Sequence, residues 1–136
     1  MDKLIDTLHQ GGYSCVIRKG TEMRTFQQRG VKDLWELCEN KEGCLQGAQI
    51  ADKIIGKGAA ALMVYGGVRE VYADVISTPA WELLQEHGIH VTYAQQTDRI
   101  MNRQRDGLCP VETLCKPLQS LDEMYSVITN FINQYS

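Results

Sequence analysis

The sequence predicts a single three-layer α/β domain with a mixed β-sheet, and three observations support this prediction. The 136 residues are 43% hydrophobic and 23% charged, which suffices for one packed core and is too little chain for two ordinary domains. A signal for an antiparallel hairpin lies near the start of the chain. After it, strand-like and helix-like segments alternate, which is typical of parallel crossovers. We therefore expect one domain that spans residues 1–136.

The first part of the chain predicts two helices on either side of the hairpin. Residues 2–10 place two leucines and an isoleucine on one helical face, and the Gly-Gly pair that follows ends this helix. Residues 13–27 form two strand-like runs that meet at Lys19-Gly20, so they predict the hairpin. A short helix is predicted over residues 31–39, because its apolar residues recur at helical spacing.

The segment from Ala48 to Tyr65 keeps a helical period of apolar residues, so it predicts a longer helix. Gly56 and Gly58 lie inside this predicted helix. Each glycine costs about 1 kcal/mol relative to alanine in a helix interior. We infer that a neighbouring strand or a ligand approaches the backbone closely at this point.

The rest of the chain predicts two strands and three helices. Residues 70–76 alternate as a strand, and a helix follows, with Thr78 as its N-cap and Pro79 as its first residue. Residues 89–94 predict another strand. A short helix is predicted from Pro110, and a final amphipathic helix is predicted over about 120–135.

Composition argues against several classes of partner. The net charge is -3, and the basic residues form no long run that would follow a phosphate backbone, so we expect no nucleic acid partner. The longest apolar stretch is far shorter than the roughly 20 residues that cross a bilayer, and the N-terminus has no export signal. We therefore expect a cytoplasmic protein that does not associate with membranes.

The cysteines and histidines predict neither a disulfide framework nor a metal site. Five cysteines are an odd number, which favours reduced thiols, and we expect at least three of them to act as small core residues. The three histidines are scattered over separate predicted elements. Gly56-Lys57-Gly58 lacks the Ser or Thr that a phosphate loop needs after its lysine. No cofactor and no metal ion are therefore expected.

Cys109 is the first candidate site residue, and two interpretations of it stay open. Pro110 suits the first position of a helix and Glu112 the third, so Cys109 lies where the N-cap belongs. In the simpler interpretation this stretch only begins a helix. In the other, the positive end of the helix lowers the pKa of the thiol, which becomes a nucleophile with Glu112 as acid or base.

A second polar cluster surrounds Gly56 and consists of Asp52, Lys53 and Lys57. These charged residues could simply be solvated on a helix surface. Small residues beside a lysine within an apolar segment also fit a ligand pocket that is lined by backbone. The sequence is compatible with both interpretations of this cluster.

Two segments of the sequence closely resemble one known family. They are "ADKIIGKGAAALMVYGGVREVYADVISTPAWELLQEHGI" and "IMNRQRDGLCPVE". The chain resembles the prokaryotic domain-of-unknown-function family 1893, whose members carry an Asp-Lys-x-x-Gly-Lys-Ala-Ala-Ala-like segment and an Asn-Arg…Gly-x-Cys-Pro-x-Glu segment. The match runs from about Tyr13 to Glu112, and Gly58 departs from the family's alanine.

The resemblance implies a cytidine-deaminase-like fold, with a mixed five-stranded sheet and helices on both faces. Active deaminases bind zinc through a His-x-Glu motif and a Pro-Cys-x-x-Cys motif. At the matching positions, "GKGAA" contains neither histidine nor glutamate, and "LCPVET" supplies no second thiol. Zinc-dependent deamination is therefore excluded, since neither the metal-bound water nor the proton shuttle has its residues.

Three hypotheses for function follow from the shared fold. The first is a small polar or anionic ligand that binds between the Gly56–Gly58 and Cys109–Glu112 segments, with Lys57 and Arg103 holding its charge and Asn102 hydrogen-bonded to it. The second is an enzyme with Cys109 as its nucleophile. The third is an interaction module without catalysis, such as a homodimer formed through the apolar face of the last helix.

Overall fold

The computed structural model describes residues 2–27, 32–39, 45–98, 114–115, 117–118 and 120–135. The helices are α1 (Asp2–Gln10), α2 (Lys32–Glu39), α3 (Lys57–Gly66), α4 (Thr78–Glu86) and α5 (Leu121–Tyr135), and the strands are β1 (Cys15–Lys19), β2 (Glu22–Phe26), β3 (Gln49–Ile55), β4 (Glu70–Ser77) and β5 (His90–Thr97). The predicted hairpin and the predicted helices that correspond to α1, α2, α4 and α5 are confirmed.

The five strands form one mixed sheet in the order β2-β1-β3-β4-β5. Strand β1 is antiparallel to both of its neighbours, β2 and β3. Strands β3, β4 and β5 are parallel, and they are connected through α3 and α4. The prediction of a mixed sheet, with an N-terminal hairpin followed by parallel crossovers, is thereby confirmed.

The predicted helix from Ala48 to Tyr65 is wrong. Its first half is strand β3, its second half is helix α3, and Gly56 is the joint between them. The isoleucines at 50, 54 and 55 satisfy helical spacing, yet a short apolar run of this kind fits a buried strand equally well. Gly56 is extended, with φ −99° and ψ 177°, and serves as the N-cap of α3, so it does not lie in a helix interior.

Helices cover both faces of the sheet. On one face, α1 buries Leu4 and Leu8 against Val16 of β1 and Ala51 of β3. On the other face, α2, α3, α4 and α5 enclose the larger core. Helix α3 lies at the centre of that core, because its residues 58–63 are all buried and it contacts α2, α4 and α5. This arrangement has three layers, as the sequence predicts.

The apolar face of the last helix belongs to the core of its own chain. Met124 and Ile128 are fully buried and Ile132 is nearly so, in the same cluster as the residues of α3. The Trp35 Nε1 of α2 donates a hydrogen bond of 2.9 Å to the Thr129 Oγ1 of α5. This face of the helix therefore packs within its own chain, and a homodimer stays a prediction.

Within the part of the chain that the structure describes, no helix is long and apolar enough to cross a membrane. The predicted short helix from Pro110 lies mostly outside the described residues. Leu114 and Cys115 are helical, and Cys115 is fully buried in the larger core.

Candidate functional site

The carboxyl ends of the three parallel strands lie along one edge of the sheet. Strands β3, β4 and β5 end there at Ile55, Ser77 and Thr97. Because β1 is antiparallel to β3, its first residue also lies near this edge, and the Lys53 backbone N donates a 3.0 Å hydrogen bond to the Ser14 carbonyl oxygen. Ligands of open α/β sheets usually bind outside this edge of the parallel strands. A functional site is therefore expected at this edge of the sheet.

The first turn of α3 gives this edge a positive potential. Gly56 provides no side chain to cap the helix, and the first turn contains no acidic residue. Lys57 is the first helical residue, where a positive charge lies at the positive end of the helix dipole, which is unfavourable on its own. The Lys57 Nζ donates a 2.8 Å hydrogen bond to the Leu118 carbonyl oxygen. An anionic group would be favoured beside this turn.

The first turn of α4, at the end of the neighbouring strand, is capped instead. Ser77 is completely buried, and its Oγ accepts a 3.2 Å hydrogen bond from the Ala80 backbone N. The Thr78 hydroxyl donates to the Thr97 carbonyl oxygen at 3.3 Å and accepts a 3.0 Å hydrogen bond from the Gln96 side chain. The sequence predicts Thr78 as the N-cap, and the structure shifts the cap by one residue to Ser77. This helix start is already satisfied by the protein, whereas that of α3 has no side-chain cap.

Asp52 is a half-buried acid in the middle of the sheet. Burial raises the pKa of its carboxyl group to about 7, against the opposing effects of hydrogen bonds from the Ile54 backbone N and the Cys15 thiol. The Asp52 carboxylate takes part in none of the ion pairs among the described residues. A carboxyl group that is desolvated and has no cationic partner is costly to keep charged. Such groups are characteristic of functional sites.

The structure divides the predicted polar cluster around Gly56. Asp52 lies on the face of the sheet that α3 covers, since its partner Cys15 belongs to the larger core. Adjacent residues of a strand project to opposite faces, so Lys53 leaves β3 on the side of α1. Four strand positions separate Asp52 from Gly56, which corresponds to about 13 Å between their Cα atoms. Asp52 and Lys57 thus lie on one side of the sheet, at two separate points.

The other predicted site residues lie outside the described residues. These are Asn102, Arg103, Cys109 and Glu112. The hypothesis of an enzyme with Cys109 as its nucleophile therefore stays a prediction. The nearest described residues after them are at 114–118, and the hydrogen bond between Lys57 and Leu118 joins that stretch to the first turn of α3.

The three described cysteines are all free thiols. Cys15 and Cys115 are buried in the core, as the sequence predicts for most of the cysteines. Cys38 is half-buried and donates a 3.3 Å hydrogen bond to the Leu62 carbonyl oxygen. Burial, with a smaller effect of Glu39, raises the pKa of the Cys38 thiol to about 12, so this thiol is a poor nucleophile. Cys44 and Cys109 lie outside the described residues.

Two polar contacts in the structure are not predicted by any pattern in the sequence. The contact between Asp52 and Cys15 joins residues that are far apart in the chain, so no local pattern reports it. The second is a cluster on the α1 face, where the Asp74 Oδ1 lies 2.7 Å from the His9 Nε2 and accepts a 2.7 Å hydrogen bond from the Tyr72 hydroxyl. This cluster attaches the end of α1 to β4. Among the described residues, no group of three or more potential ligands could hold a metal ion.

Comparisons with known proteins identify relatives of known fold. A family model described as "TM1506: Domain of unknown function (DUF1893)" matches residues 3–132. A crystal structure of a DUF1893 family protein, TM1506 from Thermotoga maritima, is 22% identical and superposes with a TM-score of 0.86, over 95% of this chain and 87% of that one. This likeness shows a common fold. No curated protein matches the chain.

Proposed function

The chain belongs to the DUF1893 family, and we propose that it binds a small polar or anionic ligand that extends from Asp52, in the middle of β3, to the carboxyl edge of the parallel strands. The observation that carries this proposal is the half-buried carboxyl group of Asp52, which no cation neutralises among the described residues. In this proposal the fold is cytidine-deaminase-like, and the zinc chemistry of that superfamily is replaced by recognition through hydrogen bonds and charge.

Asp52 supplies the polar end of the proposed site. With a pKa of about 7, its carboxyl group exists in both protonation states near neutral pH. It therefore donates or accepts a hydrogen bond according to what the ligand presents. An amide or amidine edge, which carries both kinds of group, suits such a partner. The buried position strengthens any hydrogen bond that forms there, because water competes less.

Lys57 and the first turn of α3 supply the anionic end. The ammonium group of Lys57 is held by the Leu118 carbonyl oxygen beside a helix start that has no side-chain cap. Both features attract negative charge. The separation of about 13 Å between the Cα atoms of Asp52 and Gly56 is suited to a ligand of mononucleotide size. Arg103 and Asn102, from the segment that resembles the family motif, are proposed to complete this end.

The test is the thermal unfolding of the full chain with three probes: cytidine, inorganic phosphate and cytidine 5′-monophosphate. A ligand that binds only the folded state raises Tm. We expect cytidine monophosphate to raise Tm more than either of its parts, because it reaches both ends of the site. The shift should fall sharply in Lys57→Met and in Asp52→Asn.

Lys53→Met is the matched control, since Lys53 is a lysine of the same segment that leaves the opposite face of β3. This variant should retain the full shift in Tm. The proposal is overturned if none of the three probes raises Tm in the wild-type chain. It is also overturned if the shift is the same in Lys57→Met as in the wild type.

A further inference from the structure

Strand β5 is unusually exposed for the last strand of a parallel set. Six of its eight residues, His90–Thr97, are exposed and the other two are half-buried. Tyr93, in the middle of the strand, is 41% exposed. By contrast, the neighbouring strand β4 buries four of its eight residues and exposes none. Parallel strands are normally covered on both faces, so β5 lacks the protection that its position in the sheet requires.

The outer edge of β5 is also open to pairing. Among the described residues β5 is the last strand in the sheet order, and its single strand partner is β4. Over residues 90–96 its outward backbone N–H and C=O groups therefore form a template for another strand. Natural proteins normally block such an edge with charges, a proline, a bulge or a short length.

Strand β2, at the opposite edge of the same sheet, has features that prevent pairing with another strand. Strand β2 has five residues, and two of them are charged. The Arg24 Nε and the Glu22 Oε1 form an exposed ion pair at 2.9 Å. Strand β5, "HVTYAQQT", has no Asp, Glu, Lys or Arg and no proline. The two edges of one sheet thus differ in the features that prevent strand pairing.

We propose that β5 pairs with the same strand of a second copy of this chain, antiparallel about a two-fold axis, so that two five-stranded sheets become one continuous sheet. Two features favour a second copy as the occupant. Two-fold symmetry makes the pairing antiparallel. An outward N–H group of one copy then faces a C=O group of the other, because both copies present the same surface. The absence of Asp, Glu, Lys and Arg in β5 removes the like-charge repulsion that self-pairing would otherwise create at facing positions.

The middle of the strand is the sensitive point in this dimer. The two-fold axis of an antiparallel pair passes between a residue and its own copy, and Ala94 is a central residue of β5. With the axis at this residue, residues 92–96 of one copy pair with residues 96–92 of the other, and Ala94 lies directly opposite Ala94 on the same face of the sheet. Ala94 is exposed in the single chain. A charge introduced at Ala94 therefore meets the same charge across the axis, whereas opposite charges in two different copies would attract.

The experiment measures the mass of the full chain by sedimentation velocity, with circular dichroism as the check on folding. We expect the wild-type chain to be a dimer and both Ala94→Lys and Ala94→Glu to be monomers. An equimolar mixture of the two variants should recover the dimer mass, which neither misfolding nor a general loss of solubility would produce. Thr25→Lys, an exposed position on the charged edge strand β2, is the matched control and should remain a dimer.

Three results would overturn the proposal. The first is a wild-type chain that stays monomeric at all accessible concentrations, which would leave the edge to another segment or to a different partner. The second is a dimer that persists in both Ala94 variants, which would place the interface on a different surface. The third is a mixture of folded Ala94→Lys and Ala94→Glu that stays monomeric.

Discussion

Two rows of residues that cross the sheet, one at its end and one in its middle, differ in how their polar side chains are paired. At the amino ends of the parallel strands, four polar residues lie in register across four strands: Arg18, Gln49, Glu70 and His90. The Arg18 Nη2 donates to the Gln49 Oε1 at 2.6 Å, and the Gln49 Nε2 donates to the Glu70 Oε1 at 2.6 Å. The row in the middle of the sheet consists of Cys15, Asp52, Ala73 and Tyr93. Within the described ranges, the partners of its carboxylate are a thiol and backbone N–H groups.

This difference separates the residues that stabilise the fold from those that are available for function. At the amino ends, Gln49 links a cation to an anion, so the charges are compensated where they are half-buried. In the middle row, burial of Asp52 opposes folding near neutral pH. A costly group is retained where it serves a purpose other than stability. The comparison therefore assigns opposite stability effects to the two rows.

The largest expected effect is a stabilisation by Asp52→Asn at alkaline pH. The folded chain holds the Asp52 proton up to about pH 7, whereas the unfolded chain releases it near the ordinary value of 3.8. The wild type therefore loses stability as pH rises between these two values, and below pH 3.8 the penalty disappears. At pH 8 the variant should gain about 2–4 kcal/mol in the free energy of unfolding, and urea titrations from pH 3 to pH 8 measure it.

The control for this prediction is Asp6→Asn, which neutralises an exposed carboxylate on α1. Its stability should follow the wild-type pH profile. If Asp52→Asn also follows the wild-type profile, the assignment of the middle row as the destabilising one is wrong.

A loss of stability is expected from Gln49→Ala at the amino end. The substitution removes the link between Arg18 and Glu70 and leaves both half-buried charges with fewer hydrogen bonds. The expected loss is about 1–3 kcal/mol in the free energy of unfolding. Chemical denaturation at matched protein concentration measures it. Gln10→Ala, at the exposed end of α1, should change stability little. A change in probe binding in Gln49→Ala would contradict the separation of function between the two rows.

The smallest effect is expected at the outer end of the same row. The His90 Nε2 lies 3.9 Å from the Glu70 Oε2, and the His90 side chain is 69% exposed. Exposed ion pairs at such distances contribute little because solvent screens them. His90→Ala should therefore change the free energy of unfolding by less than about 1 kcal/mol. A larger loss would mean that the polar row is cooperative across all four strands.

Much of the fold could be predicted from the sequence because its signals are local. Gly20 marks the tight turn of the hairpin with a positive φ of 61°, and Pro79 marks the start of α4. The prediction of one helix from Ala48 to Tyr65 is wrong because the spacing of Ile50, Ile54 and Ile55 fits a helix and a buried strand equally well. The β-branched isoleucines before Gly56 and the alanines after it were the signal that separates strand from helix.

The candidate site was predicted less completely, because its properties depend on contacts between distant segments. Asp52 and Lys57 were recognised as residues of interest, but their environments were not. The raised pKa of Asp52 arises from burial beneath the core, and the Cys15 thiol, whose hydrogen bond opposes this rise, reaches it through strand pairing. The position of Lys57 depends on Leu118, 61 residues away in the chain. Neither contact can be predicted from a short stretch of sequence, because the partners are far apart in the chain.

Helix α1 is the one described helix on its face of the sheet, and this gives the protein a point of partial unfolding. In the described part of the chain, its fully buried contacts form the small cluster of Leu4, Leu8, Val16 and Ala51, while the core on the other face joins four helices. We expect backbone amides of α1 to exchange with solvent through local opening, well before those of α3. Such opening exposes the apolar residues of β1 and β3 that α1 covers, while the sheet stays intact. Aggregation on heating should therefore begin from this opened form, not from the unfolded chain.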